Sequence, residues 1–271
     1  MLPFIELFHL HISTYVLLQM AAYLAACMFA FHRLYRGGLP QRAAALTLST
    51  AAGAFLGSHL LVWAYQILAG WIGAGLQPGA GPSQAALIAV GGSSSLGGVA
   101  GGISGLFLAS RRFGLAPGRV FDLVIPAVPL GQAIGRLGCQ AAGCCYGQPT
   151  ESWLGLYLPD DAGAWQARYP TQLLSSALDL AIFAGLLWLD RRFERRGRPF
   201  DGLLFVIYLL AFSLKRFLVE FLRADAERVL GPLTTAHFFA GGFFLLAAGL
   251  LLAGLALRRR AEPGERASQS S

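Results

Sequence analysis

The stretch VLGPLTTAHFFAGGFFLLAAGLLLAGLAL, residues 229–257, contains no Asp, Glu, Lys or Arg. A bilayer core about 30 Å thick is crossed by a helix of roughly 20 apolar residues. Residues 12–32 and 43–110 are equally free of these four residue types. The chain is 55% hydrophobic and 13% charged, against about 25% charged in soluble domains. The sequence therefore predicts an all-α, polytopic membrane protein.

Turn signals and charges divide these stretches into seven predicted transmembrane helices. The run 43–110 is too long for one span, and its segment 70–84, rich in glycine and proline, separates two helices. Residues 12–32 are predicted as a retained first helix, because a secretory signal peptide would begin with basic residues and none precedes Arg33. The other four helices are predicted at 120–134, 171–189, 202–222 and 229–257. We expect one transmembrane domain over residues 1–271.

The distribution of basic residues predicts how the helices are oriented. The formal net charge is +7, and a basic chain on its own is compatible with nucleic-acid binding. Fifteen of the 21 Lys and Arg residues, however, fall in every second loop or in the tail: Arg33, Arg36, Arg42, Arg111, Arg112, Arg119, Arg191, Arg192, Arg195, Arg196, Arg198, Arg258, Arg259, Arg260 and Arg266. The positive-inside rule assigns such segments to the cytoplasm. We therefore expect no nucleic-acid partner, an outer N-terminus and a cytoplasmic tail at 258–271.

The other six basic residues lie on the predicted outer side, where the positive-inside rule does not explain them. They are Arg136, Arg168, Lys215, Arg216, Arg223 and Arg228. With a helical rise of 1.5 Å per residue, Arg136 stands roughly 25 Å above Arg119, at the inner boundary. By the same measure Arg216 stands roughly 21 Å above Gly202. Both guanidinium groups are therefore predicted in the outer half of the bilayer, on different helices.

The sixth predicted helix carries a charged face within KRFLVEFLRAD, residues 215–225. Arg216, Glu220 and Arg223 stand at i, i+4 and i+7, which places them on one side of a helix. One interpretation is that these side chains only snorkel to the membrane interface. The other is an anion-binding pocket, because a guanidinium group forks two donors onto phosphate. The anion expected at that depth is a phospholipid headgroup.

The segment GRLGCQAAGCCYGQPT, residues 135–150, surrounds Arg136 with glycines. We predict an outer loop over 135–170 that includes it, in which glycines let backbone N–H groups approach an anion. Irregular backbone at membrane depth is tolerated where it lines a buried or wet cavity. The segment is therefore expected to line the pocket.

The same segment contains three of the four cysteines, Cys139, Cys144 and Cys145. Three interpretations stay open: small buried residues, a disulfide from Cys139 to one of the others on an oxidising side of the membrane, or a nucleophile. Their C-x4-C-C spacing is not a usual zinc spacing, so no metal and no cofactor is predicted. Cys27 is predicted to be a core residue.

The third predicted helix contains GGSSSLGGVAGGISG, residues 91–105, in which Gly97, Gly101 and Gly105 recur every fourth residue. This small-xxx-small pattern is typical of close helix packing. The alternative is that Gly97 and Gly98 line a site where a lipid approaches the backbone.

Taken together, these residues resemble the bacterial prolipoprotein diacylglyceryl transferases. The family signature Gly-Arg-x-Gly-Asn-Phe-x-Asn-Gly-Glu-x-Tyr-Gly is matched by Gly135, Arg136, Gly138, Gly143, Tyr146 and Gly147. The family's Arg-x-x-x-Glu-x-x-Arg run is matched by Arg216, Glu220 and Arg223. Its His-Pro-Ser-Gln-Leu-Tyr-Glu element is matched by Pro170, Gln172 and Leu173, and its early tyrosine by Tyr15. The seven-helix topology with an outer N-terminus is similar as well.

The chain departs from the family pattern at several positions that matter for chemistry. The family's Ser-Phe-His-Gly-Gly motif reads SSLGG at 94–98, so Leu96 stands where the family has its proposed proton acceptor. Cys139 and Ala142 stand in place of two asparagines, and Cys144 and Ser175 in place of two glutamates. Because a Gly-Cys-Cys-Tyr-Gly variant occurs in other relatives, the cysteines look like a subfamily trait.

The resemblance implies transfer of a diacylglyceryl group from phosphatidylglycerol to the lipobox cysteine of exported preprolipoproteins, in the bacterial plasma (inner) membrane. It assigns catalytic roles to Arg136, Arg216 and Glu220. It assigns substrate binding to Tyr15, Gly97, Gly98, Gly135, Gly138, Tyr146, Gln172 and Arg223. No residue is evident for deprotonating the acceptor thiol, although an electropositive pocket lowers a thiol pKa. His9, His11, His59 and His237 are expected to be packed or interfacial.

Two alternatives remain open from the sequence. One is a related lipid-dependent transferase with a different acceptor or lipid, which Leu96 and the cysteines favour. The other is a non-catalytic phospholipid-binding homologue.

Overall fold

The structure is a computed structural model that describes residues 4–7, 10–71, 95–159, 163–224 and 228–268. The helices in these ranges are α1 Thr14–Arg36, α2 Pro40–Trp71, α3 Ser95–Arg112, α4 Pro117–Val124, α5 Ala127–Ala142, α6 Thr171–Arg196, α7 Leu203–Glu220 and α8 Thr235–Ser268. Three short antiparallel pairs lie outside them: β1 Phe4–Leu7 with β2 Leu10–Ser13, β3 Leu156–Pro159 with β4 Trp165–Arg168, and β5 Arg228–Leu230 with β6 Leu233–Thr234. The all-α prediction did not include these strands.

Five segments are long and apolar enough to cross a membrane. They are Thr14–Arg36, Pro40–Leu60, Pro117–Ala142, Thr171–Arg196 and Thr235–Arg259. This confirms the prediction of a mostly helical protein with several membrane-spanning helices. Helices α3 and α7 overlap the other two predicted spans, but α3 ends in Arg111 and Arg112 and α7 carries Lys215, Arg216 and Glu220. The count of seven spans stays a prediction.

The predicted fourth span differs from the structure in both its continuity and its end. The expected helix 120–134 is two helices, because Pro126, with φ −62°, ends α4 and starts α5 and a proline has no N–H to continue the first helix. Helix α5 then runs on to Ala142, through the first half of the segment that was predicted as loop. It ends at Gly143, whose φ of 79° is left-handed and suits glycine because it has no Cβ.

The chain forms two compact units, residues 31–120 and residues 1–30 with 121–271. In the smaller unit α2 packs on α3 glycine to glycine. A Cβ added to Gly53, Gly57 or Gly101 would overlap a backbone carbonyl oxygen of the facing helix. The small-xxx-small prediction of close packing is therefore confirmed. At the end of this helix pair, Arg42 donates from Nη1 to the carbonyl of Phe113 at 2.6 Å.

The larger unit has an apolar core to which α6, α7 and α8 contribute. Its buried members are Ile125, Leu186, Leu204, Val206, Tyr208, Leu209 and Ala247. At one end of this core, the fully buried Asp122 accepts from the backbone N–H groups of Gly202 (2.9 Å) and Phe205 (3.1 Å). These are donors at the start of α7 that the helix itself leaves unpaired. Arg198 forms ion pairs with both Asp122 and Asp190. This arginine, which was counted above as a cytoplasmic basic residue, therefore also ties the loop between α6 and α7 to α4 and α6.

Candidate active site

The three motifs that carry the family resemblance meet in the larger unit through backbone hydrogen bonds. Residues 146–150, which follow α5, lie between the end of α7 and strand β4. On one side the Gln148 N–H donates to the Leu222 carbonyl at 2.8 Å, and the Ala224 N–H donates to the Tyr146 carbonyl at 3.1 Å. On the other side the Tyr169 N–H donates to the Gln148 carbonyl at 3.1 Å. Residues 146–150, residues 222–224 and residues 167–169 are therefore joined by hydrogen bonds. We call these three segments the framework.

Gly147 is the tightest point of this framework. A Cβ there would overlap the Tyr169 carbonyl oxygen and come within 3.0 Å of Thr171 Cγ2. Gly147 also pairs as an isolated antiparallel bridge with Arg223. Any side chain at Gly147 would thus push this segment away from Tyr169 and Thr171.

The charged face of α7 forms the ion pairs that its spacing predicts. Arg216 Nη2 lies 3.0 Å from Glu220 Oε2, and Arg223 Nη1 lies 3.7 Å from the same oxygen. The Glu220 side chain is only 3% exposed, whereas that of Arg216 is 25% exposed. Thr234 Oγ1 donates to the other Glu220 oxygen at 3.0 Å. Glu220 is therefore a buried carboxylate with one hydrogen bond, from Thr234, and an ion pair that fixes the direction of Arg216.

Arg136 stands on helix α5, not on a loop as predicted, and it is half-buried. Its positive charge acts on Arg216, so two guanidinium groups borne by separate helices lie close enough to repel each other. Within the described ranges, Arg136 forms no hydrogen bond and no ion pair with a protein group. Two cations whose charges act on each other form a region of positive potential that an anion stabilises.

A buried ion pair that the sequence analysis missed lies beside Arg136. Lys215 Nζ on α7 lies 2.5 Å from Asp179 Oδ1 on α6, and the two side chains are 6% and 0% exposed. The charge of Arg136 also acts on Asp179. The sequence does contain a signal for this pair, because Asp179 and Lys215 are opposite charges in two successive predicted helices. The sequence does not show which sides of those helices face each other, so the pair could not be predicted.

Tyr15 lies against α5 because two glycines let α1 approach. A Cβ at Gly138 would stand 3.4 Å from the Tyr15 carbonyl oxygen, and one at Gly135 would stand 3.2 Å from Gln19 Oε1. Both glycines are helical, so their N–H groups serve the helix rather than an anion. The Tyr15 phenol lies within electrostatic range of Cys139.

Tyr146 and Gln172 are buried beneath the framework. The ring of Tyr146 lies 4.9 Å from the guanidinium carbon of Arg168, which is itself buried. Gln172, 1% exposed, donates from Nε2 to the Cys144 carbonyl at 2.8 Å. Both side chains thus support, from within the protein, the signature segment, residues 135–147.

The three cysteines of the signature form a cluster, with their Sγ atoms all within 4.8 Å of one another. All four cysteines of the chain are free and half-buried in the structure. Hydrogen bonds with the thiols of Cys139 and Cys144, together with the charges of Arg223 and Arg136, lower the pKa of the Cys145 thiol. Cys145 has a φ of 61°, a left-handed conformation that is costly for a residue with a side chain and clusters at functional sites.

The remaining predicted residues lie elsewhere or outside the described side chains. Gly97 and Gly98 belong to α3 in the smaller unit. Gly97 is packed against Gly57, whereas a Cβ on Gly98 would make only ordinary contacts of 3.5 Å or more. The side chains of Leu96, His9 and His11 are outside the described part of the chain.

The two described histidines that were expected to be packed or interfacial have ordinary structural surroundings. His237 is buried, accepts from the Thr234 N–H at 3.0 Å, and packs edge-on against Phe217 with ring centroids 4.9 Å apart. His59 lies 2.8 Å from the carbonyl of Phe55, one turn earlier in α2. The packing predicted for His237 is confirmed.

Comparison with known proteins identifies the family and several relatives. The prolipoprotein diacylglyceryl transferase family matches residues 3–253. Phosphatidylglycerol–prolipoprotein diacylglyceryl transferase 2 of Clostridium perfringens is 38% identical over 63% of this chain and 65% of its own length. The transferase of Clostridium tetani is 34% identical over 53% of this chain and 57% of its own length. That of Dehalococcoides mccartyi is 29% identical over 81% of both chains.

The chain thus spans less than two thirds of the length of the two Clostridium relatives. The family match, in contrast, takes in all three motifs of the framework and both arginine-bearing helices. The chain belongs to the prolipoprotein diacylglyceryl transferase family.

Proposed function

We propose that the protein transfers the diacylglyceryl group of phosphatidylglycerol to the lipobox cysteine thiol of exported preprolipoproteins. The acceptor sulfur forms a bond to the glycerol C3 carbon of the lipid. The C3–O bond breaks, its electron pair leaves with glycerol 1-phosphate, and the thiol proton passes to water. The observation that carries this proposal is the pair of neighbouring guanidinium groups, Arg136 on α5 and Arg216 on α7.

The two arginines have the chemistry that this reaction needs. A phosphodiester carries one negative charge, and its oxygens accept paired N–H donors from guanidinium groups. As the phosphate leaves, its charge grows, so cations already in position stabilise the transition state more than the bound lipid. Glu220 holds Arg216 in direction through the 3.0 Å ion pair. Because Glu220 is buried and its Oε2 lies next to the guanidinium groups of Arg216 and Arg223, we assign it this positioning role and not that of a base.

The other site residues are proposed in supporting roles around this pair. Arg223 shares Glu220 and extends the positive surface. Tyr15 offers a phenol hydroxyl at the α1–α5 contact that Gly135 and Gly138 permit. Tyr146 and Gln172 hold the signature segment in place. In the smaller unit, Gly98 is proposed to contact lipid, whereas Gly97 packs against Gly57.

We further propose seven spans in one transmembrane domain of the bacterial plasma membrane, with an outer N-terminus and a cytoplasmic C-terminus. The contact of Arg42 with Phe113 supports this orientation, since it joins the start of α2 to the end of α3, two basic segments that the positive-inside rule assigns to the same side. Phosphatidylglycerol and exported preprolipoproteins are the proposed partners.

The test is transfer from labelled phosphatidylglycerol to a lipobox peptide by purified Arg136→Ala and Arg216→Ala variants. Losing one preorganised donor costs about 10²–10³-fold in rate in comparable sites, so we expect a loss of that size from each. Arg191→Ala, at an exposed position of α6, is the matched control and keeps the full rate. Full transfer by both alanine variants would contradict the proposal, as would failure of the unmodified protein to support lipoprotein modification in a strain depleted of its transferase.

One observation favours a second candidate, a related transferase with another acceptor. In the cluster of Cys139, Cys144 and Cys145, Cys139 and Cys144 stand where the family signature has an asparagine and a glutamate. Small thiols offered in place of the lipobox peptide distinguish the two functions. Faster glycerol phosphate release with a small thiol than with the peptide supports the second.

A further inference from the structure

The cysteine cluster is unused by the proposed roles of the arginines. We infer that Cys139, Cys144 and Cys145 form a three-thiolate site for a thiophilic d¹⁰ cation of the zinc class, with its fourth coordination position open to the acceptor thiol. The second half of this inference rests on the proposed function, and the first half does not.

The sulfur positions fit such a cation. Zinc binds thiolate sulfur at about 2.3 Å in tetrahedral geometry, which sets neighbouring sulfurs about 3.8 Å apart. The three Sγ atoms already lie within 4.8 Å of one another. Shifts of about 1 Å or less therefore close the site around a cation, and changes of side-chain rotamer supply shifts of that size.

The backbone explains how an unusual spacing produces this cluster. Cys139 lies in the last turn of α5, and the Gly143 N–H donates back to its carbonyl at 3.0 Å. The left-handed Gly143 reverses the chain, so that Cys144 and Cys145 return beside Cys139. Thr171 Oγ1 then donates to the Cys145 carbonyl at 2.6 Å and holds this residue in its strained conformation. The spacing C-x4-C-C therefore does not exclude a metal once the helix end is known.

The surrounding charges suit a thiolate-rich centre. Three thiolates and one divalent cation carry a net charge of −1. The positive charges of Arg223 and Arg136 both act on Cys145. An anionic metal centre in a half-buried position is stabilised by such neighbours.

An open fourth position would supply the step for which no residue is evident. The proposed reaction consumes a thiol, and the family's proton acceptor is replaced by Leu96. A metal-coordinated thiol is deprotonated outright, and catalytic zinc sites commonly keep three protein ligands and one open position. On coordination the acceptor thiol would release its proton to water. Its sulfur would then use a lone pair to bond to C3, the phosphate would leave with the C–O pair, and no oxidation state would change.

A covalent role for these cysteines is less suited to the chemistry. Attack by Cys145 on the lipid would form a thioether, and the acceptor would then have to displace a thiolate from an unactivated carbon. The cluster thus acts better as a ligand set than as a nucleophile.

The test titrates purified protein with cadmium ions as the probe and follows thiolate-to-metal charge-transfer absorption. We expect one cation per chain and a binding constant at least tenfold weaker in each of Cys139→Ser, Cys144→Ser and Cys145→Ser. Cys27→Ser, which changes the only other cysteine of the chain, is the matched control and binds like the unmodified protein. Absence of saturable binding, or unchanged binding in the three variants, overturns the inference.

Two arms that need no variant separate this inference from the proposed function. In the first, the unmodified protein is stripped with a chelator and assayed for transfer, before and after zinc is returned. Transfer that is unaffected by stripping contradicts the open coordination position and leaves the proposed function standing. Cadmium binding without glycerol phosphate release to any acceptor supports the cation site and contradicts the proposed function. In the second arm, the free thiols of the native protein are alkylated and counted by mass spectrometry. A disulfide within the cluster, seen as two unlabelled cysteines, counts against the site.

Discussion

The helix pair α2–α3 and the segment 135–147 are both rich in glycine, but they differ in what the glycines bring together. In the smaller unit, Gly53, Gly57 and Gly101 let two apolar helices touch backbone to backbone. In the larger unit, Gly138 lets α1 reach α5, and Gly147 lets the segment approach Tyr169 closely while it pairs with Arg223. Glycine spacing thus predicts close approach, and the neighbouring charges decide whether that approach builds a packing interface or a site.

The largest effect is expected in the larger unit, at the buried ion pair of Asp179 and Lys215. Asp179→Ala leaves the buried Lys215 without its partner at 2.5 Å. Removing one member of a buried ion pair costs about 3–5 kcal/mol, and Arg136 adds repulsion here. We expect the free energy of unfolding in micelles to fall by that amount, measured by denaturant titration.

The matched control for this prediction replaces both partners by apolar residues, Asp179→Leu with Lys215→Met. Such a replacement removes both charges at once and is often neutral or stabilising. A double variant as unstable as the single one would show that the pair is not what Asp179→Ala disrupts.

The second prediction concerns the glycine contacts of the smaller unit. Gly101→Ala places a Cβ against the Gly53 carbonyl oxygen and should cost about 1–3 kcal/mol, as overpacking does elsewhere. Gly102→Ala is the control, because its Cβ meets the Ala54 Cβ at an ordinary 3.4 Å. Equal unfolding free energies for the two variants would mean that α2 and α3 do not pack in this register.

The same substitution in the signature segment should affect activity as well as stability. Gly147→Ala separates the segment from Tyr169, so we expect a similar loss of about 1–3 kcal/mol together with loss of lipid transfer. Gly185→Ala on α6, where a Cβ meets nothing within 4 Å, should keep both. If Gly147→Ala is destabilised but transfers lipid at the full rate, the framework does not position the arginines.

A smaller effect than that of breaking the buried ion pair is expected at Thr234. Thr234→Val removes the hydroxyl that donates to Glu220 at 3.0 Å and keeps the shape of the side chain. A hydrogen bond to a charged group contributes about 1.5–3 kcal/mol, with the lower end expected because both arginines still hold Glu220. Thr50→Val in α2, whose hydroxyl donates within its own helix, is the comparison. A smaller loss at Thr234 than at Thr50 would contradict the role given to Glu220.

Some of this architecture could be predicted from the sequence because the signal is local. Uncharged stretches of membrane-crossing length identify helices without any knowledge of their neighbours. The i, i+4, i+7 spacing of Arg216, Glu220 and Arg223 identifies one helical face in the same way. The described helices overlap the predicted spans for this reason.

The rest depends on contacts between segments that are distant in sequence. The glycines at 135 and 138 indicated a loop, but α5 continues through them because α1 packs there. The ion pair of Asp179 and Lys215 depends on which sides of α6 and α7 face each other. The cysteine cluster depends on the left-handed turn at Gly143. None of these contacts leaves a periodic pattern in the sequence.

The most direct test of the central claim is a double-mutant cycle on phosphatidylglycerol affinity, measured for the unmodified protein, Arg136→Ala, Arg216→Ala and the double variant. If both guanidinium groups bind one phosphodiester, the two losses are not additive, and the coupling energy falls in the range of about 0.5–3 kcal/mol seen for groups that share a partner. Strictly additive losses, or an affinity that neither substitution changes, would contradict the claim that these arginines form one anion site.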